Sequence, residues 1–242
     1  MIYTPLVTIV TPTIGTRHLE ENLHSVSKQT YKNLKHLVVT DGKEYAENTE
    51  SLVSKFPKAK HLMLPENTGR GGYNGHRIYA AASYLVETDF FCFIDEDNWI
   101  DPDHVIGLLE AAHNKHWAFS FRKIVDQESK YVCNDDCESL GLWESCLGDF
   151  FVDVGCYFLP KNLAVQLSPL WYRRARHPQE QPEIDRLLIN VLRQNNLTYN
   201  ASRKYSLNYR TGNRGDSVQS EFFLQGNAAM LTKHNGKLPW KE

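Results

Sequence analysis

Short apolar runs, each closed by a polar or turn-forming cluster, alternate along the first half of the chain with longer stretches whose apolar positions recur every three or four residues. Leu6-Val7-Thr8-Ile9-Val10 predicts a buried strand that stops at Thr11-Pro12-Thr13, because proline cannot continue a ladder and the hydroxyls are left free to meet a ligand. Leu19, Leu23 and Val26 follow at helical spacing. Lys35 to Thr40 predicts a second strand closed by Asp41-Gly42, and Ala59 to Leu64 a third. From about Asn74, Ile78, Ala82, Leu85 and Val86 predict one face of a helix that leads into Phe90-Phe91-Cys92-Phe93-Ile94. Five apolar residues in a row are too few for a helix and predict a strand buried on both faces of a parallel sheet.

The second half continues the rhythm with more interruptions. Asp101-Pro102-Asp103 predicts an N-cap, a proline at the first helical position and an acid in the first turn, with Val105, Leu108, Leu109 and Ala112 as the buried stripe. Trp117 to Phe121 predicts a strand. Residues 126–149 lack periodicity and read as a surface excursion, and Phe150 to Leu159 reads as one long strand with Asp153 embedded in it. Trp171-Tyr172-Arg173-Arg174-Ala175-Arg176-His177 reads as a loop over a site. A helix opening at Pro182-Glu183 buries Ile184, Leu187, Leu188, Val191 and Leu192 and carries Asp185 in its first turn. Beyond Asn196 only Tyr205 to Arg210 is strand-like. Strand, helix, strand and acid in repetition define an α/β chain.

Composition narrows this picture. At 242 residues and 41% hydrophobic content the chain suits one large domain or a domain with a small appendage. No run of 18 apolar residues and no signal-like opening occur, so the expectation is a cytoplasmic protein, with a peripheral place at the inner face of the membrane compatible with its charge. The five cysteines are expected as reduced thiols, since Cys133 and Cys137 lack the second pair that structural zinc needs. Residues 1–160 carry 14 Lys/Arg against 23 Asp/Glu, a net of −9, whereas residues 161–242 carry 13 against 6, a net of +7. The basic third is a solvated surface or faces an anion such as a nucleotide diphosphate, a lipid phosphate or nucleic acid.

The chemistry concentrates at the end of the central strand. Asp95-Glu96-Asp97 places three carboxylates where ligands of open α/β sheets bind, and such crowding calls for a cation or a ligand's donors. Pro65 to Arg77 forms a glycine-rich loop in which Arg70 and Arg77 offer donors to phosphate or base. It lacks the G-x-G-x-x-G spacing and follows the third strand rather than the first, so it is not a dinucleotide fingerprint.

Taken in order, these pieces resemble the family-2 glycosyltransferases of the GT-A fold over roughly residues 5–195. The resemblance is carried by Val7 to Thr11, by Ser25-Val26-Ser27-Lys28-Gln29-Thr30-Tyr31-Lys32-Asn33-Leu34, by Leu37 to Gly42, by Asn67-Thr68-Gly69 and by Phe93-Ile94-Asp95-Glu96-Asp97, which is similar to the family's DxD motif. It implies a Rossmann-like, mostly parallel central sheet flanked by helices. Residues 1–196 would form the catalytic domain, with a nucleotide-sugar half (1–100) and an acceptor half (101–196), and residues 197–242 a C-terminal extension packed on it.

The implied activity is transfer of a sugar from a nucleotide-sugar, a UDP-sugar in the first instance, to the hydroxyl of a glycan, a lipid-linked sugar, a small molecule or a modified nucleic acid. Thr11 and Asp41 would hold the base, Arg77 or Arg70 the nucleotide, Asp95 the ribose and Asp97 a Mn²⁺ or Mg²⁺ ion, with Pro12 and Glu96 also on the nucleotide-sugar side. Asp153 would lie on the acceptor side, and Asp185 would be the general base of an inverting reaction, with Glu183 as the alternative. A sugar nucleotidyltransferase and an inactive nucleotide- or glycan-binding module are the rival readings. The first would open with a glycine-rich basic loop after its first strand, where this chain has Thr11-Pro12-Thr13-Ile14-Gly15-Thr16-Arg17.

Overall fold

Every side chain of the first strand, β1 (Val7–Thr13), is buried, as expected of a strand covered on both faces. The computed structural model describes residues 4–172, 184–213 and 217–242. After β1 come α1 (Leu19–Ser27), β2 (Leu34–Thr40), α2 (Ala46–Val53), β3 (Ala59–Met63), α3 (His76–Leu85) and β4 (Phe90–Phe93). The second half follows with β5 (Trp99–Ile100), α4 (His104–Ala111), β6 (Trp117–Val125), β7 (Tyr131–Asn134), β8 (Tyr157–Pro160), α5 (Lys161–Trp171), α6 (Ile184–Gln194), β9 (Tyr199–Arg210) and α7 (Ser220–Lys233).

The strands form one sheet in the order β3-β2-β1-β4-β8-β6-β9-β5, with β7 paired to β6. Its first four strands are parallel, with Val7 opposite Leu34 on one side and Phe90 on the other. The parallel run ends at β8, which lies antiparallel between β4 and β6. β9 then runs parallel to β6 and β5 antiparallel to β9. The fold is thus α/β, with a parallel half followed by a mixed one.

Pro12 does not end β1. The carbonyl of Val10 accepts from Ile94 and that of Thr13 from Asp41, so the missing N–H of Pro12 would point to the β4 side, where the chain has already turned away. The core holds Phe91, Phe93, Trp117, Phe119, Tyr157 and Phe158, all fully buried, and burial of an aromatic or aliphatic side chain of this size is worth about 1.5–3 kcal/mol.

Several expected elements are corrected. α4 begins at His104, because Asp101 bonds to Lys123 and Asn208, and Asp103 to Lys204, so neither carboxylate caps the helix. In α3 the buried face carries Tyr79 and Ser83 with Ile78 and Ala82, and Leu85 is 70% exposed. The stretch from Phe150 to Leu159 is not one strand: the Asp153 side chain accepts from Gly155 N and bends Val154–Cys156 into a 3₁₀ turn before β8. The excursion at 126–149 is surface only at its ends: Tyr131 and Leu147 are exposed, whereas Asp135, Cys137, Ser139 and Leu140 in its middle are fully buried. Trp171 ends α5 and is buried on Tyr79 and Phe93 rather than standing in a loop, while residues 173–177 lie outside the described residues. β9 starts six residues before the expected Tyr205, and α7 carried no signal because its apolar residues are spread around the helix: Phe223 and Met230 face inward, Leu224 and Leu231 outward.

Candidate active site

Beyond β4 the chain runs into the loop Asp95 to Asn98, and the loop is gripped by its backbone. Asn22, fully buried on α1, donates from its amide to the carbonyls of Asp95 (3.2 Å) and Asn98 (3.0 Å). Thr11 supports Asn22 from β1, its hydroxyl donating to Asn22 Oδ1 at 3.3 Å. From the other side Arg210, at the end of β9, donates from Nε to the Asp97 carbonyl (3.1 Å) and from its backbone N to Asn98 Oδ1 (3.0 Å). With the backbone fixed this way, the three acidic side chains take three different tasks.

Asp95 Oδ1 accepts a 2.6 Å bond from the Tyr79 hydroxyl. Burial first, and the Asp95 charge second, hold that phenol well above its ordinary range, so it remains a donor. Glu96 turns back under β1: its carboxylate accepts from the Thr13 hydroxyl (2.5 Å), Ile14 N (3.2 Å) and Thr16 N (3.0 Å). It ties the loop after β1 to the acidic loop and is 5% exposed. Asp97 faces the cleft and accepts from the Asn213 amide.

The opposite wall is built on Asp41. Its carboxylate accepts from Thr68 N (2.7 Å), the Thr68 hydroxyl (2.8 Å) and Gly69 N (2.8 Å), which shapes the glycine-rich loop. A Cβ at Gly69 would stand 2.4 Å from the Asn74 carbonyl oxygen and 2.9 Å from Asp41 Oδ2, so only glycine permits this approach. Gly75, the residue before α3, meets the Pro12 ring in the same way, at 2.6 Å. Gly75→Ala should therefore push α3 off the end of β1 and cost about 1–3 kcal/mol in urea unfolding. An unchanged value would mean that the Pro12 wall yields freely.

Together these residues enclose a cleft of about 320 Å³ at the carboxyl ends of the parallel strands. Of the residues expected at the site, Pro12, Asp41, Arg70, Asp95, Glu96 and Asp97 line it, joined by Asn74, His76, Tyr209, Arg210 and Asn213. Thr11 does not; it is fully buried beneath the loop, with Oγ1 3.0 Å from His36 Nε2. The two candidate arginines separate. Arg70 is exposed at the cleft and pairs with Glu44 at 2.8 Å. Arg77 stacks between Tyr73 and Tyr172, its guanidinium 3.5 and 4.9 Å from the ring centres, behind the loop.

Asp153 and Asp185 lie away from the cleft lining and close to each other. Asp153 is buried and bonds to the Arg122 guanidinium, which also holds Asp135 (2.7 Å) and Glu138 (2.5 Å). Burial pushes the Asp153 carboxyl above its ordinary value, with Arg122 pulling the other way. Asp185 accepts from Val154 N at 3.2 Å. Glu183 lies outside the described residues.

Among the described residues no group of three or more His, Cys, Asp or Glu side chains is arranged to hold a metal ion. Asp97 and Asp95 nevertheless offer hard oxygen donors at the cleft. Such a pair fits a cation that takes one or two carboxylates and completes its shell on substrate phosphates, as Mg²⁺ commonly does.

Asn22, Tyr79, Arg122, Arg210 and Asn213 were not singled out from the sequence. Asn22 carried a signal, an amide three residues after Leu19 on a helix face that is otherwise core.

A parallel nucleotide-type half with an acidic loop at its strand ends, joined to a mixed half, is the architecture of a GT-A glycosyltransferase. The profile of glycosyl transferase family 2 matches residues 8–136, more than half of the chain, and the chain belongs to that family. An uncharacterized glycosyltransferase of Rickettsia bellii is 26% identical over 136 residues, 53% of this chain and 19% of that protein. Glycosyltransferase GlyA of Streptococcus pneumoniae serotype 4 is 26% identical over 111 residues, 46% of this chain and 15% of that protein. The chain thus spans less than half the length of these curated relatives. The crystal structure of S. aureus TarS 1–349 in complex with UDP-GlcNAc superposes with a TM-score of 0.64 and 17% identity, covering 93% of this chain and 66% of that one. At that identity the likeness is one of fold. No helix among the described residues is long and apolar enough to cross a membrane.

Proposed function

We propose that this chain transfers a sugar from a nucleotide-sugar, a UDP-sugar in the first instance, to an acceptor hydroxyl with inversion at the anomeric carbon. The observation that carries this reading is the acidic loop: its backbone is clamped so that Asp95 and Asp97 face a cleft whose far wall is Asp41 and the glycine-rich loop. The fold likeness to TarS, a protein crystallised with UDP-GlcNAc, supports the donor class.

Asp41 shapes the wall on which the base rests, and Arg70 stands at the cleft to meet phosphate. Asp97, with Asp95 beside it, would hold Mn²⁺ or Mg²⁺ together with the diphosphate. When bound, that ion offsets the negative charge that grows on the leaving diphosphate. The acceptor oxygen bonds to the anomeric carbon, the bond from that carbon to the diphosphate oxygen breaks with its electron pair, and the acceptor proton passes to the Asp185 carboxylate. The acceptor belongs on the side of Asp153 and the turn after it.

Against a nucleotidyltransferase stands Glu96. The backbone N–H groups of Ile14 and Thr16 in the loop after β1, which such an enzyme would turn to a triphosphate, are already committed to its carboxylate. Against an inactive binding module stands the separate Asp185 site, which binding alone does not require.

The test is a panel of UDP-, GDP- and dTDP-sugars with Mn²⁺ or Mg²⁺, scored for nucleoside diphosphate release and for nucleotide binding by calorimetry. Release or binding with one base is the expected result. Absence of both across the panel would sink the reading. Asp97→Ala should remove the metal-dependent part of nucleotide affinity, about tenfold or more; affinity that still rises on adding Mn²⁺ would take Asp97 out of the metal site.

A further inference from the structure

Arg122 stands at the middle of β6 with its guanidinium almost completely buried, and each of its three nitrogens takes a different carboxylate: Asp135, Glu138 and Asp153. Two of these contacts lead onward to the same place. Asp153 uses its second oxygen to accept from Gly155 N (2.9 Å), which fixes the 3₁₀ turn whose first N–H, that of Val154, donates to Asp185 Oδ2. Glu138 uses its second oxygen to accept from Arg186 at 2.7 Å, and Arg186 also grips Asp149 at 2.5 Å. Arg186 is the residue next to Asp185 on the first turn of α6. The Phe151 ring lies between the two guanidiniums, 5.5 Å from Arg122 and 4.4 Å from Arg186.

A buried cluster in which carboxylates outnumber arginines is costly to build. Its geometry converges on one carboxylate from two sides, through the turn and through the neighbouring arginine. We infer that Arg122 and the backbone N–H of Val154 are positioning elements for Asp185: they fix the direction in which its carboxylate presents an oxygen to the acceptor hydroxyl. The inference rests on the reading of Asp185 as the base.

The turn itself supplies the test. Val154 occupies the first position of a 3₁₀ turn, where proline is tolerated. Asp153 before it has φ −61° and ψ 145°, the extended conformation that a residue preceding proline prefers. Val154→Pro therefore removes the N–H that the turn donates to Asp185, and Val154→Ala keeps it while trimming the same side chain.

With the donor found active in the panel, kcat of Val154→Pro should fall about tenfold or more below that of Val154→Ala, with donor KM and UDP affinity within about twofold. The acidic limb of its kcat profile should move to higher pH, because a carboxylate that loses a donated hydrogen bond holds its proton more tightly. Arg186→Lys, which keeps the charge and loses the double grip on Glu138 and Asp149, should show the same split, a lower kcat with donor KM and UDP affinity unchanged. It decides the matter if the proline variant does not fold. Equal kcat and equal pH limbs for the proline and alanine variants would overturn the inference, as would a loss of kcat accompanied by an equal loss of UDP binding. Asp185→Asn separates the two ideas: a near-normal Asp185→Asn enzyme removes the base itself, whereas an inactive one alongside a normal Val154→Pro enzyme removes only the positioning role.

Discussion

Asp185→Asn is expected to lower sugar transfer by about 10²- to 10⁴-fold while leaving UDP affinity within about twofold. The size of the effect follows from what the substitution changes. Asparagine keeps an oxygen in the place that accepts from Val154 N, so the turn and the start of α6 retain their contact. What is lost is the proton-accepting carboxylate, and with it the role proposed for Asp185. Binding is spared because Asp185 is not among the residues that line the cleft proposed for the nucleotide. Nucleoside diphosphate release with acceptor present, set beside calorimetry with UDP, distinguishes the two quantities. Near-normal turnover would assign the proton to another group, and a parallel loss of UDP binding would mean that the two halves of the molecule are more tightly linked than their separate contacts imply.

The parallel half of the fold was legible because its strands are buried on both faces, and an unbroken apolar run as short as Phe90 to Ile94 fits a doubly covered strand and little else. The acidic loop stood out as a candidate for a similar reason, since three carboxylates crowded at a strand end call for a compensating partner, and the structure places it at the cleft. The residues alone did not divide the tasks among the three acids; the family resemblance gave Asp95 to the ribose and Asp97 to a metal and left Glu96 alongside without a task of its own. Asp95, Glu96 and Asp97 are equivalent as letters, and only the closing of the loop after β1 onto Glu96 turns that side chain into a brace. Arg70 and Arg77 were interchangeable for the same reason, until stacking on Tyr73 took Arg77 out of the cleft.

The second half resisted because its burial is polar. Residues 135–139 look like surface to any pattern based on apolar spacing, and they are interior only because Arg122, thirteen residues before Asp135, is there to meet them. Asp153 misled in the opposite sense: placed among apolar residues it read as a strand position, whereas its side chain bends the chain.

Stability should fall steeply as pH drops from about 6.5 toward 4, and two buried histidines are the main cause. Burial depresses His36 to about 3 and His104 to about 4, each from an ordinary value of 6.5, so both are neutral in the fold across this range. The unfolded chain takes up protons that the folded one refuses. The stability held by neutral burial is therefore complete above pH 6.5 and is lost as pH falls toward the folded values. At pH 5 each group accounts for about 2 kcal/mol, together about 4 kcal/mol, against a total of about 5–15 kcal/mol for a typical domain. His76, depressed to about 4 at the edge of the cleft, adds to the same trend. Asp153 works against it: its raised carboxyl takes up a proton in the fold as pH falls and offsets part of the loss. Urea unfolding between pH 7 and 5 measures the sum, and His36→Gln should lower the proton uptake on unfolding near pH 5.5 by about one. A flat profile would mean that these rings are charged in the fold. The neutral ring also props the candidate site, because His36 lies against Thr11, Thr11 holds Asn22, and Asn22 holds the acidic loop. As the folded ring takes a proton only near pH 3, that support stays intact wherever the protein remains folded, and the pH dependence from His36 is confined to stability.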